Sequence, residues 1–269
     1  KVAAAWALAH IPRDAKDVKD ILPVLAGALK AEQARVRQLA AEGLNYLGVS
    51  AKDAAPALIH ALKDTDKVVR STVRKALENL GASDKDLLQK ITIGMNELSA
   101  LEACLLYAEA QDIYYETDWK GDGVLQYAQS LQGDMGLYEM PAKKKLVMLG
   151  IFPDAVPAKK KAVTKEVYRF KILKGQGDKA PGGRRSYLEN ERLVGGHALL
   201  AWPAEYGSSG VTTFLINDAG RVYEKDLGAE TAAIAEKTVE FNPDETWKET
   251  QKANTRRSQK GAPRGDLDF

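Results

Sequence analysis

The sequence predicts an α+β chain built in two parts: an all-α array of helical repeats, then a domain in which a long helix packs on a small antiparallel sheet. Three observations predict it. An apolar helical pattern returns after thirty-three residues in the first third of the chain; a long helical run spans Glu97 to Tyr115; and alternating segments between Tyr168 and Asp226 are separated by Gly- and Asn-rich turns. The expected divisions are residues 1–93 for the array, 94–247 for the α+β domain and 248–269 for a polar tail.

Composition bounds the reading without deciding it. With 269 residues, 45% of them hydrophobic and 28% charged, the chain has enough apolar material for two cores, and a net charge of +2 points to no class of partner. The one cysteine, Cys104, forms no internal disulfide, so both reducing and oxidising compartments stay open. A run of eighteen apolar residues is absent, so no membrane span is expected, and the first residues lack the pattern of an export signal.

In the array, VRQLAAEGLNYLG (Val36 to Gly48) returns as VRSTVRKALENLG (Val69 to Gly81), and LPVLAGALK (Leu22 to Lys30) returns as APALIHALK (Ala55 to Lys63). Each unit is a helix, a turn and a second helix. In the second helix Val36, Leu39, Ala40, Leu44 and Leu47 share one side, and Gly48 ends it. One such hairpin cannot bury its stripe alone, so the units stack. AAAWALAHI at Ala3 to Ile11 fits the same pattern, so Lys1 falls inside a unit and further residues are expected before it. His10 and His60 read as packing or surface residues, since neither has a second ligand at metal-binding spacing.

These motifs, PALIHALKDTD followed by VRSTVRKAL, resemble short HEAT repeats related to those of phycobilisome lyases. The resemblance implies a solenoid whose groove binds proteins, with Arg37 and Arg70 as groove-side contacts.

After Leu88 the pattern changes, and Gly94 and Asn96 are read as a break before the helix carrying Leu98, Leu101, Leu105 and Ala108. Cys104 lies among them as a core residue. In TDWKGDGVLQYAQSLQGDMG, Asp118, Asp122 and Gly123 imitate a calcium loop, but Lys120 would repel the ion and Gln129 stands where a bidentate Glu is needed. The expectation is a turn and a short helix over Val124 to Leu131. From Lys143 to Lys174 nine Lys and one Arg face two acids, Asp154 and Glu166; Lys143, Lys144, Lys145, Lys159, Lys160 and Lys161 are the candidates there for an acidic protein partner. No nucleic-acid-reading element accompanies them.

Tyr168, Phe170 and Ile172 alternate as one buried face of a strand, and His197 to Trp202, Val211 to Ile216 and Arg221 to Asp226 follow as further strands. Asn217-Asp218-Ala219-Gly220 marks an antiparallel hairpin. GQGDKA (Gly175 to Ala180) fits a dinucleotide fingerprint but runs into Pro181, Gly182 and Gly183 where a helix would have to open, so it reads as a turn. Ser208 and Ser209 lack the spacing of a nucleophile elbow, and His197 has no fixed acid for a triad. A helix over Ala229 to Lys237, set up by Gly228 with Thr231 as its cap, and an anchoring Trp247 close the domain.

Taken together, GQGDKAPGG, GGHALLAWPAEYGSSGVTTFLIN, GRVYEKDLGAETAAIA and FNPDETW resemble an exported bacterial family known only as a domain of unknown function, itself similar to type IV pilins and pseudopilins. That resemblance implies a pilin-like fold and a periplasmic or envelope location. Its signature falls on Gly175, Gly177, Pro181, Gly182, Gly183, Tyr206, Gly207, Gly210, Gly220, Asp226, Gly228 and Trp247.

The function read from the sequence is a non-enzymatic protein-binding or scaffold component of an envelope assembly, with no catalytic residue, cofactor or metal. Two alternatives stay open: an enzyme or lyase-like accessory using His197, Glu205, Tyr206 and Asp226, and a self-associating surface subunit. Convergence of those four side chains decides between the first reading and the enzyme.

Overall fold

A computed structural model describes residues 15–80, 85–133, 136–137 and 167–252. Two compact units divide it, Lys1–Leu98 and Ser99–Phe269.

In the first unit α1 (Ala15–Ala28) pairs with α2 (Ala34–Leu47), and a 3-10 turn (Gly48–Ala54) leads through α3 (Ala55–Ala61) into α4 (Lys67–Leu80). The repeat is visible in the packing. Leu25 and Leu58 hold equivalent places and are fully buried, as do Leu44 and Leu77. Pro23 lies inside α1, whereas its counterpart Pro56 sits in the first turn of α3, where a missing N–H costs nothing.

The expected break at Gly94 and Asn96 is absent: α5 runs unbroken over Lys85–Tyr114. The reason is a third copy of the first repeat helix that sequence reading missed. Ile91 stands thirty-three residues after Leu58, and like Leu58 it belongs to the array core. Gly94 follows Ala28 and Ala61 in the same register, and a Cβ there would come within 3.0 Å of Ile59 and 3.1 Å of Leu62. Gly94 is a contact residue and not a helix breaker. Glu97 extends the register, pairing with Lys63 at 3.2 Å.

In the second unit five strands form one antiparallel sheet in the order β1 (Tyr168–Leu173), β6 (Ala198–Pro203), β7 (Thr212–Asn217), β8 (Arg221–Asp226) and β9 (Lys248–Lys252). Short ladders β2 (Gly175–Gln176) with β3 (Arg185–Ser186), and β4 (Leu188–Glu189) with β5 (Arg192–Leu193), fill the β1–β6 connection. The β7–β8 hairpin is as expected: Gly220 N–H donates to Asn217 O at 2.8 Å, and Gly220 has φ +71°.

One buried sheet face was expected, and the central strands bury two. Leu199, Ala201, Phe214, Ile216 and Val222 share a core with Leu101, Cys104, Tyr107 and Ala108 of α5. Ala198, Leu200, Trp202, Leu215 and Tyr223 join Tyr187, Phe241 and Ala235 on the other side. That second layer explains why ALLAWP is apolar throughout, as a strand covered on both faces must be.

Three further expectations are corrected. Val124 to Leu131 forms no helix, because its backbone is captured elsewhere: Ala128 N–H donates to Gln111 Oε1 at 2.8 Å, Gln111 Nε2 donates to Ala128 O at 2.9 Å, and Tyr127 N–H donates to Leu193 O at 2.7 Å. The polar tail begins later than residue 248, since Lys248–Lys252 pairs with β8; the rest of the tail lies outside the described residues. The closing helix, α6 (Thr231–Lys237), starts at Thr231, whose hydroxyl donates to Gly228 O at 2.6 Å and so does not cap from the preceding position.

Candidate functional site

The six lysines proposed as partner contacts, Lys143 to Lys145 and Lys159 to Lys161, lie outside the described residues. Arg37 and Arg70 lie within them, and each holds backbone carbonyls of the turn before its own helix, Arg37 also reaching Asp64 of the following repeat. The Arg37 guanidinium donates to both Asp64 carboxylate oxygens, at 2.6 and 2.8 Å, and to Ala31 O and Glu32 O at 2.8 and 2.7 Å. Arg70 repeats the carbonyl part of this pattern, donating to Asp64 O at 2.9 Å and Thr65 O at 3.2 Å. Both arginines therefore clamp the turn that opens their helix. The Asp64 contact raises the Arg37 pKa above its ordinary value. Asp66 caps α4, accepting from Val68 N–H at 2.8 Å and Val69 N–H at 3.2 Å, and those bonds lower its pKa.

The outward side of the array is left to other residues. On α4, Lys67, Ser71, Arg74, Lys75 and Glu78 are exposed at helical spacing, and Val68 is exposed beside them. On α2, Arg35 bonds Gln38, Gln38 bonds Glu42, and Tyr46 is exposed. Asn79 Nδ2 joins α4 to α2 through Asn45 Oδ1 at 2.7 Å.

The glycine-rich signature of the second unit builds turns. Gln176 is buried and organises the loop from Gly175 to Arg185: its Nε2 donates to Gly183 O at 2.6 Å and Pro181 O at 3.3 Å, while its Oε1 accepts from Tyr187 at 2.9 Å and Arg185 at 3.2 Å. Gly182 and Gly183 take positive φ within it. Gly177 packs against Asn242, whose Oδ1 accepts from Lys179 N–H at 2.8 Å. Gly207 N–H donates to Gly210 O at 2.8 Å, and Gly210 lies against the Tyr168 ring. Gly228 N–H donates to Asp226 Oδ1 at 2.8 Å. Trp247 is half-buried, with Lys225 Nζ 5.9 Å from its ring centre.

The four polar residues of the enzyme reading do not converge. Tyr206 OH donates to Asp226 Oδ2 at 3.2 Å, which raises the tyrosine pKa. Both sit where β6 ends and β8 ends, with Glu205 in the adjoining turn. His197 precedes the opposite end of β6, buried between the edges of Tyr107 and Tyr127 at 5.3 and 4.8 Å. Six strand residues separate the two places, about 20 Å of extended chain. Burial pushes the Cys104 thiol pKa far up, which suits a core residue and not a nucleophile. Asp118 spends its carboxylate on the N–H groups of Lys120, Gly121 and Gly123, and Asp122 faces Arg192.

Geometry thus defines a chain of two classes of unit, a helical-repeat array and an α+β sheet domain whose signature residues are structural. Two families of known proteins match the chain: residues 1–78 and 22–93 match HEAT repeats, and residues 68–250, beginning inside α4, match the family described as protein of unknown function DUF2950. That second match covers well over half of the chain, so the chain belongs to the DUF2950 family. No curated protein and no solved structure matches it.

Proposed function

We propose that this chain is a non-enzymatic scaffold of a bacterial envelope assembly: the HEAT array holds a protein partner, and the α+β unit is a pilin-like body that docks into the larger structure. HEAT repeats suggest protein binding. The observation that carries the reading is the division of labour in the array, where Arg37 and Arg70 hold turns while the outward side chains of α2 and α4 stay exposed. Separation of His197 from Tyr206 and Asp226 weighs against the enzyme reading. The pilin-like assignment draws on a long helix sharing a core with an antiparallel sheet, and the envelope location draws on the resemblance of the signature motifs.

Among the described residues no helix is long and apolar enough to cross a membrane. The lysine triplets at Lys143 and Lys159 are proposed as a second contact. Crosslinking mass spectrometry in the native host tests the function: cross-links from Lys67 or Lys75 to one recurring envelope protein are expected. Recovery of no partner, together with turnover of a small molecule by the purified chain, would refute it.

A further inference from the structure

On α2, the stripe Arg37, Ala41 and Asn45 faces the following repeat: Arg37 pairs with Asp64, and Asn45 bonds Asn79. Ala41, between them, is fully buried. Thirty-three residues on, the same stripe of α4 reads Arg70, Arg74 and Glu78, and Arg74 and Glu78 are exposed. The place that α4 occupies on α2 is therefore uncovered on α4 among the described residues. It is also polar, as the end of a stacked array must be.

Polarity alone would make an end cap, but the charges on this helix are unbalanced. Its exposed residues Lys67, Arg74 and Lys75 are three cations against the single acid Glu78, and none of the three cations pairs with a carboxylate among the described residues. On the neighbouring α2 the outward charges compensate, with Arg35 lying 3.9 Å from Glu42. Among them on the same helix lies one exposed apolar side chain, Val68, at 46% of full exposure. A cationic strip that includes an apolar group complements a segment of opposite charge that carries its own apolar side chain.

We infer that the α4 face binds an acidic protein segment, its carboxylates on Lys67, Arg74 and Lys75 and one apolar side chain against Val68. This rests on the protein-binding reading of the array and names the chemistry of its partner.

The test uses the full chain and fluorescence anisotropy with a labelled short peptide of Glu residues around one Phe. The triple variant Lys67→Glu, Arg74→Glu, Lys75→Glu is expected to weaken binding at least ~10-fold, and binding to the native chain to fall steeply with salt. A reversal of two charges elsewhere on the unit, Lys19→Glu with Lys30→Glu, is expected to leave affinity within about twofold. Should the triple variant not fold, Arg74→Glu alone carries the test. Unchanged affinity in the α4 variant overturns the inference, as does equal loss in both variants. Equal or tighter binding of a single-stranded oligonucleotide through the same three residues also overturns it, by assigning the face to nucleic acid. A partner that cross-links to the array while the α4 variant still binds it leaves the scaffold reading standing and removes only this one.

Discussion

Arg74 holds the position in α4 that Ala41 holds in α2, and the two differ in what covers them: Ala41 is fully buried against the next repeat, whereas Arg74 is exposed. A buried guanidinium without a partner is costly, so a helix stacked on α4 as α4 stacks on α2 would be strongly disfavoured. Arg74 therefore makes this face of α4 a poor seat for a further stacked helix. Arg74→Ala is expected to change stability by no more than about 0.5 kcal/mol, while Ala41→Arg is expected to cost more than about 3 kcal/mol. Urea unfolding of the two variants checks both.

Arg37 and Asp64 form a pair with little solvent around it, the side chains retaining 13% and 7% of their exposure. Removing Arg37 takes two hydrogen bonds and the opposite charge from Asp64, which keeps the Asp66 N–H, and frees the carbonyls of Ala31 and Glu32. Arg37→Ala is expected to destabilise the first unit by about 2–4 kcal/mol, and Arg37→Lys to recover only part of this because an ammonium cannot span both carboxylate oxygens and the carbonyls. A double-mutant cycle with Asp64→Ala measures the coupling.

Gln111 is fully buried and bonds Ala128 through both ends of its amide. Gln111→Leu is expected to cost about 2–4 kcal/mol, since two backbone groups are then buried without partners. Amide exchange at Ala128 should accelerate in that variant far more than exchange in β6.

Gly196 takes φ +154°, and a Cβ there would lie 2.8 Å from both Asp218 Oδ2 and the ring of fully buried Tyr187. Gly196→Ala is expected to lower stability by about 2 kcal/mol or more. A thermal melt reads the effect.

Acid should loosen the second unit. Backbone hydrogen bonds led by that of Gly123 lower the Asp118 pKa, Arg192 lowers that of Asp122, Arg184 lowers that of Asp178, and Thr246 lowers that of Asp244. Each folded value lies below the unfolded one, so the stability these groups contribute is present above the unfolded pKa and is lost as pH falls through the folded values. The melting temperature is expected to hold down to about pH 5 and decline below about pH 4. Asp118→Asn should flatten part of that decline.

What could be read in the sequence followed from local periodicity. The repeat was legible because Leu25 and Leu58, or Leu44 and Leu77, return at a fixed interval, and the β7–β8 hairpin because Asn217 and Gly220 suit their turn. The third repeat helix was missed because Gly94 signals a break locally, whereas here it fits close to Ile59 and Leu62. Val124 to Leu131 misled for a related reason: the distant Gln111 and Leu193 hold the backbone of Ala128 and Tyr127 away from a helix. Lys248–Lys252 carries no apolar pattern, and its pairing comes from the edge of β8. Of the candidate contacts, Arg37 and Arg70 were found by their repetition, but repetition does not distinguish a turn clamp from a partner contact. The exposed face of α4 was hidden in the same way, since Arg74 acquires meaning only beside the buried Ala41.

Binding by the array is the central claim, and isothermal titration of the full chain with the envelope protein recovered by cross-linking tests it most directly. Saturable binding that Lys67→Glu, Arg74→Glu, Lys75→Glu weakens at least about tenfold is the predicted result. Saturable binding unaffected by substitution anywhere on α2 or α4 would contradict it.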